Sequence, residues 1–256
     1  MFFKTSISKL VLVMAPLALL AACGGGNDDD VDDRADIADP KVRFVNAVPL
    51  SPSLTLFRGA AEQPDARDAG YKFASRYYDT STSNATWTVR TTSGLLDVAS
   101  VGLEPSRGNK YTLVALPGSS SVELVSIRDP YNKGLVSDRA RVRVLNASFT
   151  RSDLDVYLTP PTASLASVTP TFSGVTYRNT VPASGSDSLE FPGGDYQMRI
   201  TSKDNKTVLF SAPVNLANNA DWLVVTLPDL TVSGGIKVLV VKSDDADRIT
   251  QEITTQ

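Results

Sequence analysis

Four carboxylates in the second half of the chain, Asp153, Asp155, Glu190 and Asp195, come nearest to residues whose type and spacing could do chemistry. Two acids held about 5–9.5 Å apart can cleave a glycosidic bond, one as acid and the other as base or nucleophile. A carbohydrate-active enzyme using paired carboxylates is therefore one reading. Asp153 and Asp155 stand two residues apart near a strand start, where side chains share a face, so they could instead hold a cation. The plainer reading of all four is a solvated acid at a loop end. Other chemistries lack their parts. The 256 residues contain no histidine, which removes the usual general base near neutral pH, the commonest zinc ligand and any Ser-His-Asp triad. There is no Gly-x-Ser-x-Gly elbow, and Ser-x-x-Lys occurs only at Ser6 to Lys9. No phosphate-cradling Gly-x-x-x-x-Gly-Lys occurs, and Gly24–Gly26 lead into aspartates that repel phosphate. No catalytic, cofactor or metal residue is assigned.

The aromatics offer a second chemistry, a platform on which sugars stack. Trp87, Tyr111, Tyr196 and Trp222 recur at matching places along the chain and read as core. Tyr77, Tyr78 and Tyr131 lie in less regular stretches and are the candidates for surface contacts. Arg43, Arg90, Arg143 and Arg199 recur between apolar strand neighbours. That pattern reads as a solvent-facing alternation, with ion pairing between sheets or domains as the other possibility.

Residues 1–22 read as a leader. Lys4 and Lys9 precede an apolar run, Leu10 to Leu20, that is too short to span a bilayer. The run ends in Leu20-Ala21-Ala22-Cys23, which resembles a bacterial lipobox. The resemblance implies cleavage before Cys23 and a lipid anchor on its sulfur. Cys23 is the chain's single cysteine, so lipidation would leave neither a free thiol nor a disulfide. Several acyl chains, at about 0.8 kcal/mol per buried methylene, hold a protein to a membrane where one chain would not. Residues 23–40 then form a tether with seven aspartates, too polar to order itself, that reaches about 55 Å when stretched. Gly24 after the cysteine resembles outer-membrane sorting among lipoproteins. Without the leader, 23 basic residues face 28 acidic ones, a net charge of −5. That charge argues against nucleic-acid binding and against adhesion to anionic lipid.

The elements that must position these residues are strands. Val42-Arg43-Phe44-Val45-Asn46-Ala47 returns 100 residues later as Val142-Arg143-Val144-Leu145-Asn146-Ala147. Leu54-Thr55-Leu56-Phe57 returns at the same distance as Leu154-Asp155-Val156-Tyr157. Further on, residues 87–93 match 196–202 and residues 111–117 match 222–228, so the offset drifts from 100 to 109 to 111. Short runs of Val, Leu, Thr, Tyr and Phe between Gly, Pro, Ser and Asn clusters predict strands at 41–47, 54–58, 70–78, 85–92, 95–101, 110–117 and 121–128. The expected fold is all-β, with two tandem immunoglobulin-like β-sandwich domains at 41–129 and 139–243. A linker at 130–138 joins them, and a polar tail at 244–256 is either frayed or a final strand.

Val142–Ala147 followed by Asp155-Val156-Tyr157 is similar to the opening of domain-of-unknown-function family 4397, found in bacterial envelope proteins. Gly194–Arg199 and Lys110–Ala115 resemble two of its later strands. Members often carry His where Asn46 and Asn146 stand here, so any role of that His is absent. The resemblance implies a fold and a place in the envelope, with no reaction attached. Together these features predict a lipid-anchored outer-membrane protein acting as a non-catalytic binding or structural module for a protein or glycan. The alternatives are the carboxylate enzyme and a passive spacer subunit of an envelope complex.

Overall fold

The computed structural model describes residues 38–119, 121–131, 138–243 and 249–255. The leader, Cys23, most of the tether and residues 132–137 lie outside them. Apart from single 3-10 turns at Pro64–Ala66 and Leu165–Ser167, the regular structure is all strand. The first half holds β1 (Lys41–Asn46), β2 (Leu54–Arg58), β3 (Ala61–Glu62), β4 (Tyr78–Asp79), β5 (Ala85–Thr91), β6 (Asp97–Leu103), β7 (Asn109–Pro117) and β8 (Val122–Pro130). They form two sheets, ordered β4-β1-β7-β8 and β3-β2-β5-β6. Phe44, Leu54, Leu56, Trp87, Val89 and Leu113 fill the space between them.

The second half holds β9 (Arg139–Asn146), β10 (Asp153–Thr159), β11 (Phe172–Thr176), β12 (Thr180–Val181), β13 (Leu189–Pro192), β14 (Gly194–Ser202), β15 (Val208–Leu216), β16 (Asp221–Asp229), β17 (Gly235–Lys242) and β18 (Thr250–Ile253). One sheet runs β11-β10-β14-β15, the other β12-β9-β16-β17-β18 with β13 also on β9. Their shared core includes Val144, Leu154, Phe172, Met198, Ile200 and Phe210. In both halves the opening strand runs parallel to a late one: Val42 lies opposite Tyr111, and Val142 opposite Trp222.

The ladders correct the 109-residue offset. Leu56 lies opposite Val89, and Val156 opposite Ile200, so Trp87 corresponds to Met198 rather than Tyr196. Most of the added length falls between β10 and β14, from where the offset is 111 as far as β16; the longer β16–β17 turn then raises it to 114, with Arg128 matching Lys242. A two-residue slip keeps every side chain on its face, which is why periodicity could not detect it. Most of the expected 70–78 strand is also absent. Only Tyr78–Asp79 pairs, with an isolated bridge at Ala74, because Gly70–Phe73 turn tightly beneath Asn46. The polar tail does supply a strand, β18, on the outer edge of β17.

Four layers result, and the middle two are buried on both faces. Val42 and Phe44 face the first core, whereas Val45, Ala47, Val114, Leu116 and Ile127 face the second half. There they meet Leu145, Ala147, Leu223, Val225, Leu227, Leu239 and Val241. Equivalent positions of the two halves thus meet as in an isologous dimer. The sequence sign of this is an unbroken apolar run such as Trp222–Val225, the mark of a strand covered on both sides.

Candidate functional site

The four carboxylates do not converge. Asp155 is buried and accepts hydrogen bonds from the Gly174 N–H at 2.8 Å, the Asp204 N–H at 3.0 Å and the Ser173 hydroxyl at 3.2 Å. Its lone pairs pin β11 and the β14–β15 turn. Glu190 pairs with Arg139 at 3.2 Å, and Asp195 accepts from Asn215 at 2.7 Å. Asp153 opens β10 with its backbone carbonyl taken by the Lys203 N–H. Among the described residues, no three His, Cys, Asp or Glu side chains group as a metal site.

The tyrosines move inward. Tyr131, expected at the surface, is 5% exposed, with the Lys110 ammonium 3.5 Å above its ring. Tyr77 is half-buried, its hydroxyl 3.0 Å from that of Thr112 and the Arg43 guanidinium 4.5 Å from its ring centre. Tyr78 packs on the first core, and burial pushes its phenol pKa up. Trp87, Tyr111 and Trp222 are buried as expected, while Tyr196 is half-exposed.

The recurring arginines split. Arg90 bonds Asp97 at the surface, and Arg199 bonds Thr159. Arg43 and Arg143 are buried and reach into the opposite halves. This overturns the solvent-facing reading, because each half covers the face on which the other half's arginine stands. Arg43 donates to Thr112 at 2.9 Å, to Ser243 at 3.2 Å and to the Lys242 carbonyl at 3.4 Å. Arg143 donates to Asp129 at 3.0 Å and to the Pro182, Ala183 and Ser186 carbonyls. Arg141 adds a 3.1 Å bond to Asp129 and lies 3.8 Å from Asp221. Burial, then the Asp221 charge, push the Asp129 carboxyl above its usual range, and Arg141 and Arg143 pull it back. The space inside this cluster is about 10 Å³, room for at most one water. It is a lock between the halves and not a ligand site.

A different place has room. At the end of the molecule where β1, β7, β9 and β16 finish, their loops surround an apolar cleft of about 560 Å³. Val48, Leu50, Val98, Val122, Phe149 and Leu230 line it, with Asp97 the one charged residue on its wall among the described residues. The repeated Asn builds the base of two of these loops. Asn46 and Asn146 are fully buried, and each side-chain oxygen accepts the backbone N–H two residues on, Val48 or Ser148, at 3.0 Å. Leu50 is 90% exposed, Leu230 50% and Phe149 47%, and Leu95, Leu96 and Val232 at the same end are also exposed. Leu50 and Leu95 hold φ of +60° and +50°. That left-handed backbone costs an L side chain about 1–2 kcal/mol, so two leucines stand where glycine or asparagine would be easier. Sequence reading missed this cleft. Its sign was large apolar residues inside turn segments, against the polar pattern that turns normally keep.

Residues 40–157 match the model of a domain of unknown function, DUF4397. The DUF4397 match takes in the first half and runs to Tyr157 in β10, so it includes both Asn-built loops and leaves β11–β18 outside. No curated protein matches the chain. One solved structure that does is a family-26 carbohydrate-binding module from Eubacterium rectale Amy13K in complex with maltoheptaose. It is 10% identical, over 84% of this chain and 97% of that one, with a TM-score of 0.22. A likeness that low says nothing of what this chain binds.

Proposed function

We propose that this chain is a lipid-anchored envelope protein, sorted to the outer membrane, that works as a non-catalytic binding module. Its loop-end cleft seats apolar side chains of a partner protein. The cleft itself carries this reading: its volume falls within the usual range for binding sites, and its walls are apolar. Exposed, clustered apolar side chains on strained backbone are costly to keep unless something covers them. Among the described residues, Asp97 and Ser121 are the wall's polar side chains, few for reading sugar hydroxyls, which favours a protein over a glycan. A net charge of −5 without the leader favours a protein over an anionic membrane surface. The position fits as well. β1 runs from Lys41 towards the cleft and places it about 20 Å from that residue.

A photo-crosslinking side chain at Leu50 should join the chain to one discrete envelope protein. Phe149→Asp with Leu230→Asp should abolish that adduct, and the same crosslinker at Asp79 should not form it. Identical adducts from both positions would overturn the reading. Cys23→Ser should move the protein from the membrane to the soluble fraction and leave its leader uncleaved; retention in the membrane would sink the anchor.

A further inference from the structure

β8 and β17 occupy the same place in the two halves, yet among the described residues only β17 carries a strand on its outer edge. Arg128 in β8 lies opposite Tyr111, as Lys242 in β17 lies opposite Trp222, so residues 124–127 correspond to 238–241. The outer edge of 238–241 is paired antiparallel with β18, Val241 facing Thr250 and Leu239 facing Glu252. Along 124–127 no described residue bonds the outward backbone groups. Those groups belong to Leu124 and Ser126, since Arg128, two and four residues on, points its own N–H and C=O outward to Ser184 and Gly185.

A groove of about 430 Å³ lies in the vacant place, between β8 and residues 178–184. Val125, Ser126, Ile127, Arg178, Thr180 and Ser184 are among its walls. Its surroundings repeat those of β18. Lys72 and Arg178 each hold a positive φ, +70° and +71°, and each donates its N–H at 2.8 Å to the carbonyl of the strand-end Asn, Asn46 or Asn146. Lys72 reaches across to the other half and binds Glu252 of β18 at 2.6 Å. Arg178 reaches across likewise, but finds Glu123, at 3.0 Å, and its Nε is buried without a hydrogen-bond partner among the described residues. The Thr180 hydroxyl is also buried and unpartnered there, in a residue only 7% exposed.

We infer that the β8 groove is a strand-addition site for an extended peptide that runs antiparallel to β8 and places an acidic residue opposite Val125, within reach of Arg178. Main-chain bonds to Leu124 and Ser126 supply affinity, as in other edge-strand recognition, and the Arg178 contact supplies register. β18 shows what fits: an alternating Thr-Gln-Glu-Ile segment with its acid at the second-to-last place. This site is independent of the loop-end cleft.

A fluorescent peptide of residues 249–255, titrated against the detergent-solubilised full chain, tests the site by anisotropy. Saturable binding is expected. Ser126→Pro should abolish it without lowering the melting midpoint, since that N–H points away from β7 and the ring would block the edge. Arg178→Glu should weaken binding at least tenfold, and a peptide with Lys in place of Glu252 should restore it. Arg178→Glu serves as the decisive variant if Ser126→Pro unfolds the chain. Three results would overturn the inference: no saturable binding, binding that both variants leave intact, or preferential binding of a peptide of residues 24–37. The last would give the groove to the chain's own tether.

Discussion

Asp129→Ala is expected to cost about 3–5 kcal/mol of unfolding free energy, because it strips two buried guanidinium groups of their shared counter-charge. Arg141 and Arg143 both donate to this carboxylate, at 3.1 and 3.0 Å, and both side chains are 3% exposed. Neither can turn to water without parting the halves. Arg143 keeps the Pro182, Ala183 and Ser186 carbonyls, whereas Arg141 keeps the Pro130 carbonyl at 3.2 Å and a more distant acid, Asp221 at 3.8 Å, so the larger loss falls on Arg141. Asp129→Asn retains an acceptor and should recover part of the loss. Urea unfolding, with both midpoint and slope fitted, checks this. A loss under about 1 kcal/mol would place the cluster with ordinary surface ion pairs and remove its role as a lock.

Leu145→Ala should cost about 2–5 kcal/mol, the range for deleting a fully buried leucine side chain. Leu145 faces away from its own sandwich and is 0% exposed because the first half covers it. In a strand with one wet face the same change would be nearly free. Val208→Ala, at a residue 43% exposed, should stay within about 0.5 kcal/mol and serves as the comparison. One cooperative transition is expected for the wild type, since the inter-half core joins both sandwiches. Two separate transitions, with Leu145→Ala shifting neither by more than about 0.5 kcal/mol, would show that the middle sheets do not hold one another.

The strand content was legible because it is local. Val, Leu, Thr and aromatic residues between turn-forming clusters bias the backbone residue by residue, and the recurrence of Val-Arg-x-x-Asn-Ala marks the two opening strands directly. The Asn was visible as part of that repeat, but its task was not. Whether it caps a turn depends on the backbone N–H two residues on, and at Asn146 on Thr226, eighty positions away. Tyr131 escaped for a related reason. It sits in irregular sequence, which reads as surface, yet Arg141 of the second half lies over its ring and the residue is buried.

The sequence by itself determined an all-β chain with a recurring opening, no histidine and one cysteine behind an apolar run. These follow from composition, period and local order. Tertiary structure alone decided that Arg43 and Arg143 are buried, that the cleft opens where the loops of both halves meet, and that among the described residues β8 lacks the strand β17 has. Each of these depends on which surface covers which, a contact between the two halves that joins residues up to 199 positions apart. Period-two patterning assigns a side chain to a face but carries no information on what lies against that face.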